Sequence, residues 1–203
     1  MISGLRTIKQ GDYSCKSIYI QQSQQNISPP LMHDGYWFNS RVQMQIKLND
    51  PWMHVWKGES KPNSDIQKIV GYSLDPFRKD IIRLGCNTGY NTPRADGIHL
   101  SLYGYFTKNF MRFTKKGSGN FFIGIIDPKG PFCVRHQLTK AGHPHFEVIQ
   151  GTYRKETVFP EVSFSPLFGN GYNMNSYYEA GSHGAPEDLT AMISFLKIPL
   201  LDI

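Results

Sequence analysis

The stretch SRVQMQIKL, residues 40–48, decides the fold predicted for this chain. From residue 42 to residue 48 every second side chain is apolar, and the residues between them are polar or charged. Successive side chains of a β-strand point to opposite sides of the sheet, so this period of two predicts a strand with one buried face.

A second stretch, GIHLSLYGYF at residues 97–106, shows the same period. Its two faces differ in chemistry, because one is apolar and the other carries an imidazole, a hydroxyl and two phenols. The apolar set is Ile98, Leu100, Leu102 and Phe106, and the polar set is His99, Ser101, Tyr103 and Tyr105.

Further segments rich in β-branched and aromatic residues follow at intervals of roughly 8–15 residues, separated by turn-forming residues. They are KSIYIQQ, QKIVGYSL, DIIRLGC, KNFMRFT, NFFIGIID, FCVRHQL, HFEVIQGTYR, TVFPEVSF and LTAMISFLKI. The last segment follows Pro186 as a helix would, but its apolar residues alternate, so we predict a closing strand.

Two packed antiparallel sheets are the usual way to bury many one-faced strands. We therefore predict an all-β protein, an antiparallel two-sheet β-sandwich of jelly-roll type with long loops. No internal repeat or composition shift marks a boundary, so residues 1–203 are expected to form one domain. Residues 1–39 are expected to be partly an extended N-terminal arm.

The composition indicates a folded protein that is not embedded in a membrane. Of the 203 residues, 39% are hydrophobic and 19% are charged, and no apolar run approaches the roughly 20 residues of a membrane helix. Residues 1–13 contain no signal-peptide core. Three cysteines, an odd number, predict reduced thiols, with Cys86 and Cys133 as small buried residues. We expect a virion or cytoplasmic location.

The charge is moderately basic. Lys plus Arg total 22 and Asp plus Glu total 16, giving a net charge of +6. This balance favours weak attraction to phosphates, acidic glycans or an acidic partner. The tightest basic group, at residues 112–116, flanks a predicted turn, and no basic stripe or nucleic-acid-binding module is visible. Neither nucleic acid nor membrane is expected as a partner.

All three tryptophans and four tyrosines fall in three irregular segments, residues 21–39, 49–65 and 165–187. Long loops without secondary structure are uncommon in compact domains unless they have a function or are ordered by a partner. Aromatic rings next to Asn and Gly are suited to stacking on sugars or on another chain. The candidate glycan-binding or partner-binding residues are Trp37, Trp52, Trp56, Tyr172, Tyr177 and Tyr178. The alternative for the second and third tryptophans is that they close the ends of the sandwich.

The segment HPHFE, residues 143–147, is the candidate metal site. His143, His145 and Glu147 would share one face of a strand, and two imidazoles with a carboxylate can hold zinc or iron. The pattern is superficially similar to that of cupins, but the cupin carboxylate falls further along and no fourth ligand is identifiable. Pro144 also indicates a strand start rather than a ligand platform. We therefore predict no cofactor, with these three residues as weak metal candidates.

Other catalytic arrangements are poorly supported. Ser182 and His183 are adjacent, so in an extended chain their side chains point apart, and no GxSxG elbow is present. The carboxylates Asp75, Asp80 and Asp96 fall near predicted strand ends, where turn or cap roles are expected. No catalytic residue is therefore assigned from the sequence.

Two stretches resemble a family of small β-sandwich proteins of Bacteroidetes-type bacteria and their phages. IIRLGCNTG followed by GIHLSLYGYF is similar to a strand of the RFGWR type joined to one of the EIHAYCY type. YYEAGSHGAPEDLTAMISFLK is similar to a loop with a GGDxxAPHDI-like turn, in which Ala185, Pro186 and Asp188 match. Glu187 replaces the family's histidine, and CNTG departs from its tryptophan-arginine pair. The family has no assigned activity, so the resemblance implies a fold and a setting but no catalytic residues.

These observations together predict a non-enzymatic structural or adhesive protein. The expected type is a phage virion component, such as a capsid decoration, head-fibre or tail accessory protein, that forms a homo- or hetero-oligomer with other subunits. A lectin-like glycan-binding module is the alternative, and a metal-dependent β-sandwich enzyme is the third reading.

Overall fold

A computed structural model describes residues 2–8, 41–48, 67–75, 79–87, 99–113, 121–165, 172–174 and 189–203. Twelve strands lie in these ranges, and none of the described residues is helical, so no helix there could cross a membrane. The strands are β1 (Ile2–Ile8), β2 (Arg41–Leu48), β3 (Gln67–Ser73), β4 (Ile81–Asn87), β5 (Leu100–Lys108), β6 (Met111–Arg112), β7 (Phe121–Ile126), β8 (Phe132–Leu138), β9 (Pro144–Gln150), β10 (Tyr153–Val158), β11 (Tyr172–Met174) and β12 (Leu189–Ile198).

The strands form two antiparallel sheets of six. The first sheet has the order β1-β12-β2-β8-β9-β10. The second has the order β11-β3-β4-β5-β6, and β7 also pairs with β5. Buried side chains of both sheets form one apolar core, so the fold is an all-β sandwich, as the sequence predicted. The jelly-roll connection pattern remains a prediction.

Most predicted strands are present, with several differences. KNFMRFT contains a turn at Asn109 and Phe110, after which the described strand is Met111–Arg112, and β11 lies within the irregular segment predicted at residues 165–187. Residues 2–8, placed by the sequence in an extended arm, form β1 and pair with β12. The segment HFEVIQGTYR is divided into β9 and β10 by a turn at Gly151, whose φ of 56° suits glycine. The segment TVFPEVSF belongs to a strand only as far as Val158. KSIYIQQ and the rest of the expected arm lie outside the described residues.

The centre of the core is a set of phenylalanine rings from both sheets. Phe106 of β5 lies 4.9 Å from Phe121 and 6.4 Å from Phe146 of β9, measured between ring centroids. A methyl group at Gly104 would lie 2.4 Å from the Phe106 ring, so the absence of a side chain there makes room for this ring. Aromatic pairs of this kind contribute about 0.5–1.5 kcal/mol each beyond the area they bury.

One buried polar pair joins the two sheets. The Tyr72 hydroxyl of β3 lies 2.5 Å from Nε2 of His136 on β8, and Nδ1 of His136 lies 2.8 Å from the His145 carbonyl oxygen. A carbonyl can only accept, so Nδ1 carries the proton and Nε2 accepts from the tyrosine. Burial lowers the pKa of His136 to about 3. The imidazole is therefore neutral in the folded chain.

This pair predicts a loss of stability in acid. An unfolded histidine takes up a proton near pH 6.5, whereas folded His136 does so only near pH 3. Its contribution is therefore complete above pH 6.5 and declines as the pH falls toward 3, with a slope approaching about 1.4 kcal/mol per pH unit. The double variant Tyr72→Phe/His136→Phe should show a smaller slope of unfolding free energy against pH, measured by urea titration.

A matched control is Val134→Ala, which alters the core on β8 without removing a titratable group and should keep the wild-type slope. Equal slopes for the double variant and the wild-type protein would contradict the role given to His136.

Candidate functional site

The outward face of the second sheet carries polar residues at alternate positions of β4 and β5. Their alternation follows from the apolar residues that point into the core, Leu84 on β4 and Phe106 on β5. Arg83 of β4 is directly opposite Tyr105 of β5 in the antiparallel register. Directly paired side chains lie about 4.5–5.5 Å apart at Cβ, so a guanidinium and a phenol are neighbours on this face.

Lys68 brings a second cation to the same face from β3. A register shift between Lys68 and Val70 marks an irregularity in the pairing of β3 with β4, and Lys68 pairs with Gly85. Gly85 has no side chain to block the lysine. The Lys68 ammonium lies 4.7 Å from the centroid of the Tyr105 ring, and the residue is only 1% exposed.

Arg112 brings a third cation from the other side of Tyr105. The turn between β5 and β6 holds Asn109 and Phe110 at φ values of 51° and 65°, which folds β6 back along β5. The Arg112 guanidinium carbon then lies 4.9 Å from the Tyr105 ring centroid. Tyr105 therefore contacts cations contributed by two different strands.

The position of Arg83 depends on the glycine beside it. A methyl group at Gly71 of β3 would lie 2.3 Å from Cγ of Arg83 and 2.7 Å from the Ile82 carbonyl oxygen. The arginine stem therefore lies close against the β3 backbone, and any other residue at position 71 would displace it. Arg83 is 6% exposed.

Tyr103 is the second phenol of this face, and it is more deeply buried than Tyr105. Its ring packs edge-on against Phe122 of β7, with 5.6 Å between centroids. Burial raises the pKa of Tyr103, and a hydrogen bond with Ser101 partly offsets this. Tyr103 is 4% exposed, whereas Tyr105 is half-buried.

We call Lys68, Arg83, Tyr103, Tyr105 and Arg112 the basic-aromatic face. It combines three cations with two phenols on one side of a rigid sheet. Guanidinium and ammonium groups bind carboxylates, while phenols can donate or accept protons. Lys68, Arg83 and Tyr103 are buried, so Tyr105 and Arg112 are the members of this face that an acidic ligand could contact directly.

The outward face of the first sheet carries a different polar group, the arginine cluster of Arg41, Arg135, Arg154 and Glu147. Arg41 forms an ion pair with Oε2 of Glu147, and Nη1 of Arg135 lies 3.3 Å from the same oxygen. Nε of Arg154 lies 2.5 Å from the other oxygen, Oε1. The Glu147 side chain is fully buried. Because these guanidiniums already share one inaccessible carboxylate, the cluster is better suited to holding β2, β8, β9 and β10 together.

The metal candidates are not arranged as a metal site in the described part of the chain. His143 precedes β9 and its Nδ1 lies 2.9 Å from the Val162 carbonyl oxygen. His145 and Glu147 do share the outward face of β9, but Glu147 is ion-paired as above and His145 lies 3.1 Å from Glu156. Within the described ranges no group of three His, Cys, Asp or Glu side chains could hold a metal.

The aromatic candidates cannot be placed in the same way. Trp37, Trp52, Trp56, Tyr177 and Tyr178 lie outside the described residues, and of Tyr172 only its position in β11 is described.

The thiols and turn carboxylates can be placed. Cys86 and Cys133 are both free thiols. Cys86 lies in the core, where burial raises its pKa to about 12, whereas Cys133 is only half-buried.

Asp75 accepts hydrogen bonds from the backbone N–H groups of residues 79 and 80, and Asp80 accepts one from the backbone N–H of Asn109. The turn roles predicted for both carboxylates are confirmed.

Sequence reasoning placed Tyr103 and Tyr105 on one polar face but did not identify Lys68, Arg83 or Arg112 as site residues. For two of these residues the sequence does contain an indication of a special role. Lys68 and Arg83 each interrupt an apolar strand segment, QKIVGYSL and IIRLGC, where a charge is costly unless something compensates it. The place of Arg112 depends on the turn before it, which the sequence does not define.

No family model and no curated protein matches this chain. Among solved structures the chain is similar to the alginate lyase Aly36B, with a TM-score of 0.42 and 11% identity, over 99% of this chain and 98% of that chain. It is also similar to the alginate lyase vAL-1 from Chlorella virus, with a TM-score of 0.37 and 9% identity, over 78% and 70% of the two chains. Likeness at this level assigns no activity to this chain. The resemblance to the Bacteroidetes-type family stays a prediction.

These neighbours correct one expectation from the sequence. Both are enzymes, whereas the sequence predicted a non-enzymatic structural or adhesive protein of a phage virion. That prediction is wrong on this finding and is not retained. The function is inferred instead from the side chains of the basic-aromatic face.

Glu147 and Glu156 face each other in the β9-β10 register, and the arginine cluster predicts that they contribute very differently to the free energy of unfolding. Glu147→Gln should lower the free energy of unfolding by about 3–5 kcal/mol, because it leaves the neighbouring guanidiniums without their counter-ion. Glu156→Gln should cost less than about 1 kcal/mol, since that side chain is 50% exposed. Urea denaturation measures both. Similar losses for the two variants would contradict the structural role of the cluster.

Proposed function

We propose that this chain is an enzyme that cleaves an acidic, uronate-containing polysaccharide by β-elimination on the basic-aromatic face. The observation that carries the proposal is the environment of Tyr105. Its ring has the Lys68 ammonium at 4.7 Å and the Arg112 guanidinium at 4.9 Å, and Arg83 is its direct partner in the sheet.

β-Elimination on a uronate needs acid–base groups that transfer protons and cations that stabilise the carboxylate. A base removes the proton at C5, next to the carboxylate, and the electron pair of that C–H bond forms a double bond between C4 and C5. The C4–O bond then breaks, and an acid protonates the departing glycosidic oxygen. Negative charge develops on the carboxylate during proton removal, so cations placed there in advance stabilise the transition state.

The residues of this face match those needs. Arg112 is exposed and has the planar fork that binds a carboxylate through two hydrogen bonds, while the buried Arg83 and Lys68 add positive charge beside it. Tyr105 is the acid–base group, because its ring contacts two of these cations and the residue is only half-buried. Tyr103 is 4% exposed and serves to position the neighbouring residues.

Among the described residues, His99 is another group with acid–base chemistry, and it precedes β5 directly. It is six residues from Tyr105, which corresponds to about 20 Å along an extended strand. The two groups cannot reach the same glycosidic bond. The elimination is therefore assigned to the tyrosine and the cations around it.

The overall charge supports an acidic substrate. The net charge of +6 favours the approach of a polyanion, and this attraction weakens as salt screens it. The reaction needs no bound metal, because the cations that stabilise the carboxylate are side chains.

The proposal predicts a specific effect of Tyr105→Phe. This variant keeps the ring between Lys68 and Arg112 and removes only the hydroxyl. Its kcat/KM on the preferred uronate polymer should fall about 10²–10⁴-fold, with the free energy of unfolding unchanged. The assay is the ultraviolet absorbance of the new double bond conjugated with the carboxylate, measured on polymannuronate, polyguluronate, polygalacturonate and glucuronate-containing polymers.

Tyr153→Phe is the matched control. Its hydroxyl accepts a hydrogen bond from the Ile125 backbone N–H at 3.2 Å, away from the basic-aromatic face, so activity on the shortest cleaved uronate oligosaccharide should remain near the wild-type level. Wild-type protein that binds these polymers without forming a double bond would overturn the enzymatic proposal. Full activity of Tyr105→Phe would overturn the role given to Tyr105.

A further inference from the structure

A third cation–ring pair lies beside the basic-aromatic face. The Lys155 ammonium of β10 lies 3.9 Å from the centroid of the Phe122 ring on β7. Phe122 in turn packs edge-on against Tyr103. The rings of Tyr103 and Phe122 therefore connect the cations around Tyr105 to a lysine that belongs to the other sheet.

Lys155 reaches this position because β10 covers the edge of β7. Residues 153, 155 and 157 alternate along β10 and point to the same side. The Tyr153 hydroxyl accepts a bond from the Ile125 N–H at 3.2 Å, and the Thr157 hydroxyl donates to the Ile123 carbonyl at 3.3 Å. Lys155 lies between these two anchored residues, so its backbone position is fixed on both sides.

The charge of Lys155 has no acidic partner within the described part of the chain, although Phe122 contacts it. Its sequence neighbour Glu156 points to the opposite face of β10, toward His145. Lys155 is half-buried, and this burial lowers the pKa of its ammonium. An incompletely hydrated cation held over a ring gains more from a carboxylate than a fully solvated one does.

The order of these side chains across the strands suits the binding of a polymer. Tyr103 and Phe122 are directly paired across β5 and β7, and neighbouring strands are about 4.8 Å apart. A chain lying across the strands from Lys68 would pass Tyr103 and Phe122 before it reached Lys155. Carboxylates that repeat along a polyuronate could then contact both cationic groups at once.

We infer that Lys155, held by Phe122, is a distal subsite that binds the carboxylate of a second uronate residue of the same polysaccharide chain. This inference rests on the proposed function and adds a requirement for chain length. Substrates long enough to reach Lys155 gain affinity from it, and short ones do not.

The test compares Lys155→Met with wild-type protein on uronate oligosaccharides of increasing length. Methionine keeps an unbranched stem over Phe122 and removes only the charge. The KM for long oligosaccharides should rise about tenfold, the loss of roughly one charge-assisted contact. The kcat, and all constants for the shortest cleaved substrate, should remain unchanged. Lys155→Arg should restore most of the affinity for long chains.

Lys47→Met is the matched control, because Lys47 is an exposed lysine on the outward face of the first sheet. It should leave KM unchanged at every length. If Lys155→Met behaves as the wild type does at all lengths, or loses affinity equally at all lengths, the distal subsite is refuted while the proposed function stands. If the wild-type protein cleaves no uronate polymer, the proposed function itself has failed, and affinity electrophoresis in the same polymers then decides whether Lys155 binds them.

Discussion

The structure depends on the two-residue period of β5, because this one strand contributes to both the core and the site. Phe106 points inward to the ring cluster, and its neighbour Tyr105 points outward to the cations. A slip of one residue in the pairing of β4 and β5 would exchange these faces and bury the phenols among apolar side chains. The packing of the core therefore also fixes the position of the proposed acid–base group.

The two outward faces use charge differently. On the first sheet, arginines from β2, β8 and β10 converge on a single carboxylate that solvent does not reach. On the second, the cations converge on an aromatic ring that remains partly accessible. Charges buried around an internal counter-ion hold strands together, whereas a cation held over an aromatic ring is stabilised by the negative face of that ring.

The sequence predicted the fold well, since alternation is a local property and a sandwich follows from many alternating strands. Segment 189–198 is an example: its proline and acidic start suggested a helix, but its period of two correctly predicted β12. The sequence missed β1, because ISGLRTI does not alternate clearly and becomes a strand by pairing with β12 at the far end of the chain. The site was harder to predict. Lys68, Arg83 and Arg112 lie on three strands, and their meeting depends on register, a pairing irregularity and a left-handed turn. The prominent HPHFE motif instead supplied a counter-ion for arginines.

The way in which β10 covers β7 has a consequence for solubility. A strand with one unpaired side offers a row of backbone donors and acceptors to any other extended chain, and such edges promote aggregation. Here the phenol of Tyr153 and the hydroxyl of Thr157 occupy two of those backbone groups, and Lys155 adds a charge between them. Tyr153, Lys155 and Thr157 thus protect this edge of the sandwich against strand addition by a second molecule, and Lys155 is also the residue proposed to contact the polymer.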